Sequence, residues 1–289
     1  MPDTSVCKLW RINPVDVFYF VHHYMSRNAE NGNEPSEKQW EVLTAIFGKH
    51  TLAQQDLTVI DSFFGYRLLV LAVGMGGGKG FTTEMICAYA VYLWQCLANP
   101  HYSFSLDSNR VFNIVNFSQV NKEQGRRVFF DHFKRALKET RDPTNKQNWF
   151  EKNIPSFGIE RALLKEEFTI PCYLPGHGPL IAWSGDSQSA TPEGSSIWLA
   201  VVDEPSRANT PATYHQAKKQ YQVIDGNRNT RFINHLNSLI VVMSYLEQET
   251  NDLAVELLAK HKDDQTAFCA RYSTFQFDPR KKKTDPQYA

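Results

Sequence analysis

One stretch constrains the fold of this chain more than any other: Leu68-Leu69-Val70-Leu71-Ala72-Val73 runs directly into Gly74-Met75-Gly76-Gly77-Gly78-Lys79-Gly80. Six apolar residues without alternation suit a strand buried on both faces, and such a strand needs helices on both sides of its sheet. Phe81 to Leu97 is largely apolar, lacks Pro and Gly, and is too long for a strand, so it reads as a buried helix. A glycine loop between a buried strand and a helix is where a phosphate cradle belongs. Glycines let backbone N–H groups turn toward an anion, and the helix start adds a favourable dipole. Gly74, Gly76, Gly77, Gly78, Gly80, Phe81 and Thr82 would then form the cradle, with Lys79 reaching the β- and γ-phosphates. The match to G-x-x-x-x-G-K-[ST] is imperfect. Gly74 stands one residue late, and Gly80 occupies the place of the Ser or Thr that holds Mg²⁺, leaving Thr82, Thr83 or water to substitute. Taken alone, the loop is also readable as a flexible turn containing a lysine.

The alternation of strand and helix repeats downstream. Val111–Asn116, Pro179–Trp183, Ile197–Val202 and Leu239–Met243 read as strands, Lys122–Leu137 and Asp252–His261 as helices, and Thr266–Ser273 closes the series. The expected fold class is α/β, a mostly parallel central sheet flanked by helices on both faces. Upstream, residues 13–27 read as a short aromatic-rich helix and 28–34 as a polar linker, and Pro35 opens a second helix. Ser36 with Gln39 three residues later has the form of a capping box.

A second chemical signal is Trp198-Leu199-Ala200-Val201-Val202-Asp203-Glu204, an apolar strand ending in two acids. An acid at a strand tip can hold Mg²⁺ through water, and its neighbour can orient an attacking water. In a parallel sheet this tip and the glycine loop share the carboxyl edge. An acid pair after one strand is by itself an ordinary turn. Two such elements in this order, each behind a buried strand, point to a nucleoside triphosphatase using ATP and Mg²⁺. The strand Leu239–Met243 ends in Ser244-Tyr245, where a small hydroxyl can sense the γ-phosphate.

Composition excludes other classes. No apolar run approaches the roughly 20 residues needed to cross a bilayer, and Met1-Pro2-Asp3-Thr4 lacks the features of a signal peptide, so a cytosolic chain is expected. The five cysteines, Cys7, Cys87, Cys96, Cys172 and Cys269, form no C-x-x-C pair and read as reduced thiols, without a disulfide or zinc framework. The formal net charge is zero, unlike that of a passive nucleic-acid coat. Arg280-Lys281-Lys282-Lys283 is the densest basic run and reads as a solvated tail.

These elements, in this order, resemble the large terminase subunit of tailed phages over roughly residues 35 to 280. The likeness is carried by Pro35 with Gln39, Gly78-Lys79-Gly80-Phe81, Phe117-Ser118-Gln119, Ser189-Ala190-Thr191-Pro192-Glu193-Gly194, Thr230-Arg231-Phe232 before Ile240–Tyr245, and Ser273–Pro279. The resemblance implies a P-loop NTPase of the ASCE type. Its organisation would be a helical lead-in over 1–60, an ATPase domain over 61–278, and a basic linker over 279–289 toward a nuclease domain outside these 289 residues. It implies ATP-driven translocation of double-stranded viral DNA into a procapsid. Lys79, Asp203 and Glu204 would be the catalytic residues, Asp203 and Thr82 the metal ligands, Gln39 a residue near adenine, and Ser244 and Tyr245 the coupling residues. The implied partners are double-stranded DNA, a portal protein and a small terminase subunit. The chain would form a ring when assembled, stay monomeric alone, and act in the host cytoplasm without a membrane.

Two departures bear on the transition-state cation. Met75 and Glu193 stand where relatives often carry Arg. The remaining finger candidates are Arg126, Arg127, Arg207, Arg228 and Arg231. Two other classes share these residues: a P-loop helicase or nucleic-acid remodeller, and a catalytically weak nucleotide-binding scaffold.

Overall fold

The computed structural model of the chain describes residues 9–48, 60, 62–118, 129–154, 157–160, 167–186, 196–205, 211–232, 234–245 and 252–280. Seven strands, β1 (Leu68–Val73), β2 (Phe112–Ser118), β3 (Phe168–Ile170), β4 (Leu180–Asp186), β5 (Ser196–Asp203), β6 (Leu239–Ser244) and β7 (Ala267–Tyr272), form one sheet in the order β3-β4-β2-β5-β6-β1-β7. Every pairing is parallel except β3 with β4. The strand β6 lies between the glycine-loop strand β1 and the acid-tipped strand β5, which is the ASCE arrangement of a P-loop fold.

The unbroken apolar runs are explained by burial on both faces. Leu69, Leu71 and Val73 enter one core, Leu68 and Val70 the other. The first core is covered by the Lys79–Cys96 helix, in which every residue from Thr82 to Cys96 is buried. The Asp131–Glu139 helix and the N-terminal residues Leu9, Val17, Phe20 and Val21 share that core. The described part of the lead-in is therefore packed onto the same core as the sheet. The second core lies under the helices Pro211–Arg231 and Leu253–Lys260. In β5 the register slips opposite Asn113 and Ile114, so that Trp198 and Leu199, although adjacent, both join the first core. Such a bulge turns one extra side chain to the same face.

Several expectations need correction. The segment 13–27 is a single turn, Val17–Tyr19, capped by Asp16 and continuing as a π-helix, Phe20–Tyr24. The 21-residue helix Pro211–Arg231, the short edge strand β3 and the Trp149–Asn153 helix were not expected. Of the expected helix Lys122–Leu137, residues 122–128 lie outside the described residues. The capping box at Ser36 and Gln39 forms as the spacing predicts. Among the described residues no helix is long and apolar enough to cross a membrane.

Candidate nucleotide site

The glycine loop leaves β1 at its carboxyl end and closes onto the helix that starts at Lys79. Gly76 and Gly78 have φ of 72° and 88°, a region that disfavours residues with a Cβ. Gly78 is the left-handed N-cap of the Lys79 helix. No side chain caps that helix, so its first N–H groups face the loop without competition from a cap. Gly74 is required for a different reason: a Cβ there would come within 2.2 Å of the Thr274 hydroxyl.

Lys79 Nζ donates to the Val73 carbonyl at 3.0 Å and stands 5.5 Å from the centre of the Tyr245 ring. The ammonium is thereby folded over the loop and the tip of β6. The registers set Asp203 level with Met243, and Ser244 level with Ala72. With strands about 4.8 Å apart, the β5 tip lies roughly 10 Å from β1 across β6. Asp203 is buried. Glu204, half-buried, holds a φ of 51°, and its N–H donates to the Met243 carbonyl at 2.7 Å. A left-handed glutamate immediately before a proline is a strained backbone, of a kind that persists where the surroundings enforce it. The Met243 sulfur lies against the Thr83 hydroxyl. One β6 residue thus touches both the loop helix and the acid tip. Ser244 is fully buried, and its hydroxyl donates to the Tyr245 carbonyl at 3.2 Å.

Thr82 offers no open ligand position. It has no exposed surface, and its hydroxyl donates back to the Gly78 carbonyl at 3.2 Å, as Thr83 does to the Lys79 carbonyl at 3.0 Å. In this arrangement the Thr82 hydroxyl is turned onto its own helix, and the place it would take as a stand-in for the hydroxyl missing at Gly80 is not formed. Among the described residues no group of three or more His, Cys, Asp or Glu gathers to hold a metal. Magnesium carried on phosphates needs only one or two carboxylates, and the Asp203–Glu204 tip supplies that donor type. The residues present therefore fit a magnesium-bound polyphosphate.

Gln39 is brought against the loop. It is fully buried, and a Cβ on Gly78 would stand 2.7 Å from its Nε2. Of the finger candidates, only Arg228 and Arg231 are among the described residues. Arg228 is buried, with its guanidinium on the Asp225 carboxylate and the Arg67 carbonyl. Arg67 precedes β1 at the edge opposite the loop, and Arg231 follows in the same last helical turn. Arg126, Arg127, Arg207 and the segment Ser189–Gly194 lie outside the described residues.

Sequence reasoning missed two contributors. The Thr274 hydroxyl, 199 residues from Met75, donates to the Met75 carbonyl at 3.0 Å and so ties the helix Thr274–Phe277 to the loop. Its signal was the Ser273/Gln276 spacing, a second capping box. Beside Gly80 and Phe81, Arg27 bridges Glu84 (3.1 Å) and Glu139 (3.3 Å) in a cleft that His132 and Arg135 also line. Burial pushes the Glu84 carboxyl up to about 7, against the opposing pull of Arg27. No signal in the sequence links these residues.

Comparison with known proteins places the chain in a P-loop family. A family model described as "Uncharacterized protein MJ0330, N-terminal P-loop domain" matches residues 3–289. No curated protein matches the chain. Among solved structures, the HK97 bacteriophage large terminase aligns over 88% of this chain and 43% of its own, at 14% identity and a TM-score of 0.50. The large terminase of a thermophilic bacteriophage aligns over 88% of this chain and 48% of its own, at 14% identity and a TM-score of 0.44. A large terminase ATPase domain from a Thermus phage aligns over 82% and 71%, at 11% identity and 0.43. The chain spans less than half the length of the HK97 protein, and at this identity the likeness speaks for the fold alone.

Proposed function

The chain belongs to the family of the MJ0330 N-terminal P-loop domain, and from that premise we propose that it is an ATP-hydrolysing motor subunit that moves along double-stranded DNA. The observation that carries hydrolysis is the meeting, at one sheet edge, of the glycine loop with Lys79 and the Asp203–Glu204 tip across β6. Lys79 leaves the Val73 carbonyl and neutralises charge that develops on the leaving phosphates. Asp203 is the residue that would hold magnesium, whose chemistry is further charge neutralisation. Glu204 orients the attacking water, its strained backbone fixing where the carboxylate starts. Ser244 and Tyr245 follow Met243, which contacts both the loop helix and the acid tip, so this strand end is suited to pass a change at the phosphates into the sheet.

The DNA-moving part of the proposal is supported by the motif order shared with terminases and by the HK97-like fold. By the same reasoning its partners would be a portal protein, a small terminase subunit and further copies in a ring, as in viral genome packaging. Arg228 and Arg231 lie at the far edge of their own chain, so a neighbouring subunit or one of Arg126, Arg127 and Arg207 would supply the transition-state cation. The test is ATP turnover with and without linear duplex DNA, paired with displacement of a triplex-forming strand from that duplex. Duplex-stimulated turnover with triplex displacement and no strand separation supports translocation. Separation of the duplex would mark a helicase. Nucleotide binding without turnover in any mixture would mark a scaffold.

A further inference from the structure

Gln39 sits fully buried against the glycine loop with one half of its amide committed and the other half not. Its Oε1 accepts the Ser36 N–H at 2.8 Å, and the Ser36 hydroxyl accepts the Gln39 N–H at 3.3 Å. This capping box fixes the amide orientation, because only an oxygen can face the Ser36 donor. The Nε2 is therefore turned the other way. Among the described residues it meets no hydrogen-bond partner. It lies so close to Gly78 that a Cβ on that residue would be 2.7 Å from it. The cap is held from outside as well, since the Ser36 hydroxyl donates to the Phe277 carbonyl and the Arg280 guanidinium to the Glu34 carbonyl at 2.9 Å.

A buried donor without an acceptor is costly, and one lodged in a phosphate cradle has an obvious acceptor in a phosphate oxygen. Bidentate reading of a nucleobase edge such as that of adenine pairs an acceptor with a donor. Gln39 has spent its acceptor on its own helix. Polyphosphate presents acceptors only, which matches the donor that remains. We propose that Gln39 recognises the polyphosphate chain through Nε2 and contributes nothing to the choice of base. The inference rests on the nucleotide-binding reading of the loop and revises the expectation that Gln39 lies near adenine.

The experiment is calorimetric titration of the full chain with ATP, with GTP and with inorganic tripolyphosphate, each with magnesium. Wild type is compared with Gln39→Glu and Gln39→Met. Gln39→Glu keeps the size and the capping box and removes the donor. Gln39→Met removes the donor without adding charge. A lost charge-assisted hydrogen bond should weaken all three ligands by a similar factor of about ten or more. Melting temperatures identify any variant whose fold is lost, and the other variant then decides. A loss confined to ATP would show that Gln39 reads the base. Unchanged affinities would show that it only caps its helix. Failure of wild type to bind any of the three would overturn the nucleotide reading itself.

Discussion

Replacing Arg228 by Met should unfold the protein more easily without touching the chemistry. The guanidinium is 2% exposed and bonds both the Asp225 carboxylate and the Arg67 carbonyl. Breaking a buried pair from one side costs about 3–5 kcal/mol when the abandoned charge stays dry. Here Asp225 is 30% exposed and can take up water, and the Arg67 carbonyl keeps the Ile240 N–H at 3.0 Å. Methionine also retains most of the aliphatic packing, so a loss of about 2–3 kcal/mol is expected. The six residues of β1 separate Arg67 from the loop, a span of roughly 20 Å at 3.3 Å per residue. ATP turnover per folded molecule should therefore be unchanged. Urea unfolding gives the stability, and phosphate release under folded conditions gives the turnover. Turnover that collapses while the unfolding midpoint stays put would refute the reasoning and identify Arg228 as the finger.

Thr274→Val removes the hydroxyl that holds the Met75 carbonyl and should cost about 1 kcal/mol of loop order, seen as a KM for ATP raised several-fold with kcat little changed. Thr274→Ser should restore it, and a Val variant with wild-type KM would show that the contact is idle. Glu84 gives a pH test. Its folded pKa of about 7 lies above its ordinary 4.5, so the native state binds the extra proton between those values. The stability it contributes is full below 4.5 and is lost as pH rises through about 7, a change of about 3 kcal/mol. Glu84→Gln should therefore gain on wild type between pH 5 and pH 8 in denaturant unfolding, and a difference that stays constant with pH would contradict the burial argument.

Legibility in the sequence followed chemical monotony. The strands β1, β5 and β6 are apolar runs buried on both faces, and their order along the chain, with the glycine loop and acid pair behind two of them, is enough to propose the site. The Pro211–Arg231 helix was hidden because it is polar and contains Gly226. Its buried stripe, Ala217, Gln220, Tyr221, Ile224 and Arg228, has helical spacing but mixes polar with apolar types. Gly226 is tolerated because it faces open space. The two capping boxes were legible as spacings, but the contacts of Thr274 and of the Gln39 amide with the loop depend on which loop the fold delivers to which helix end. Arg228 could not be placed for the same reason: its residue type announces a cation and says nothing about the edge of the sheet at which it lies.

Phosphate release by the full chain, with magnesium and duplex DNA present, tests the central claim most directly when wild type is set beside Lys79→Ala and Glu204→Gln. Lys79 is the first residue of its helix, its ammonium turned back onto the Val73 carbonyl, and it fills no core, so its loss leaves the fold intact. The account predicts ATP turnover by wild type, almost none by Lys79→Ala, and retained ATP binding with very slow hydrolysis by Glu204→Gln. Turnover by Lys79→Ala equal to wild type would contradict it.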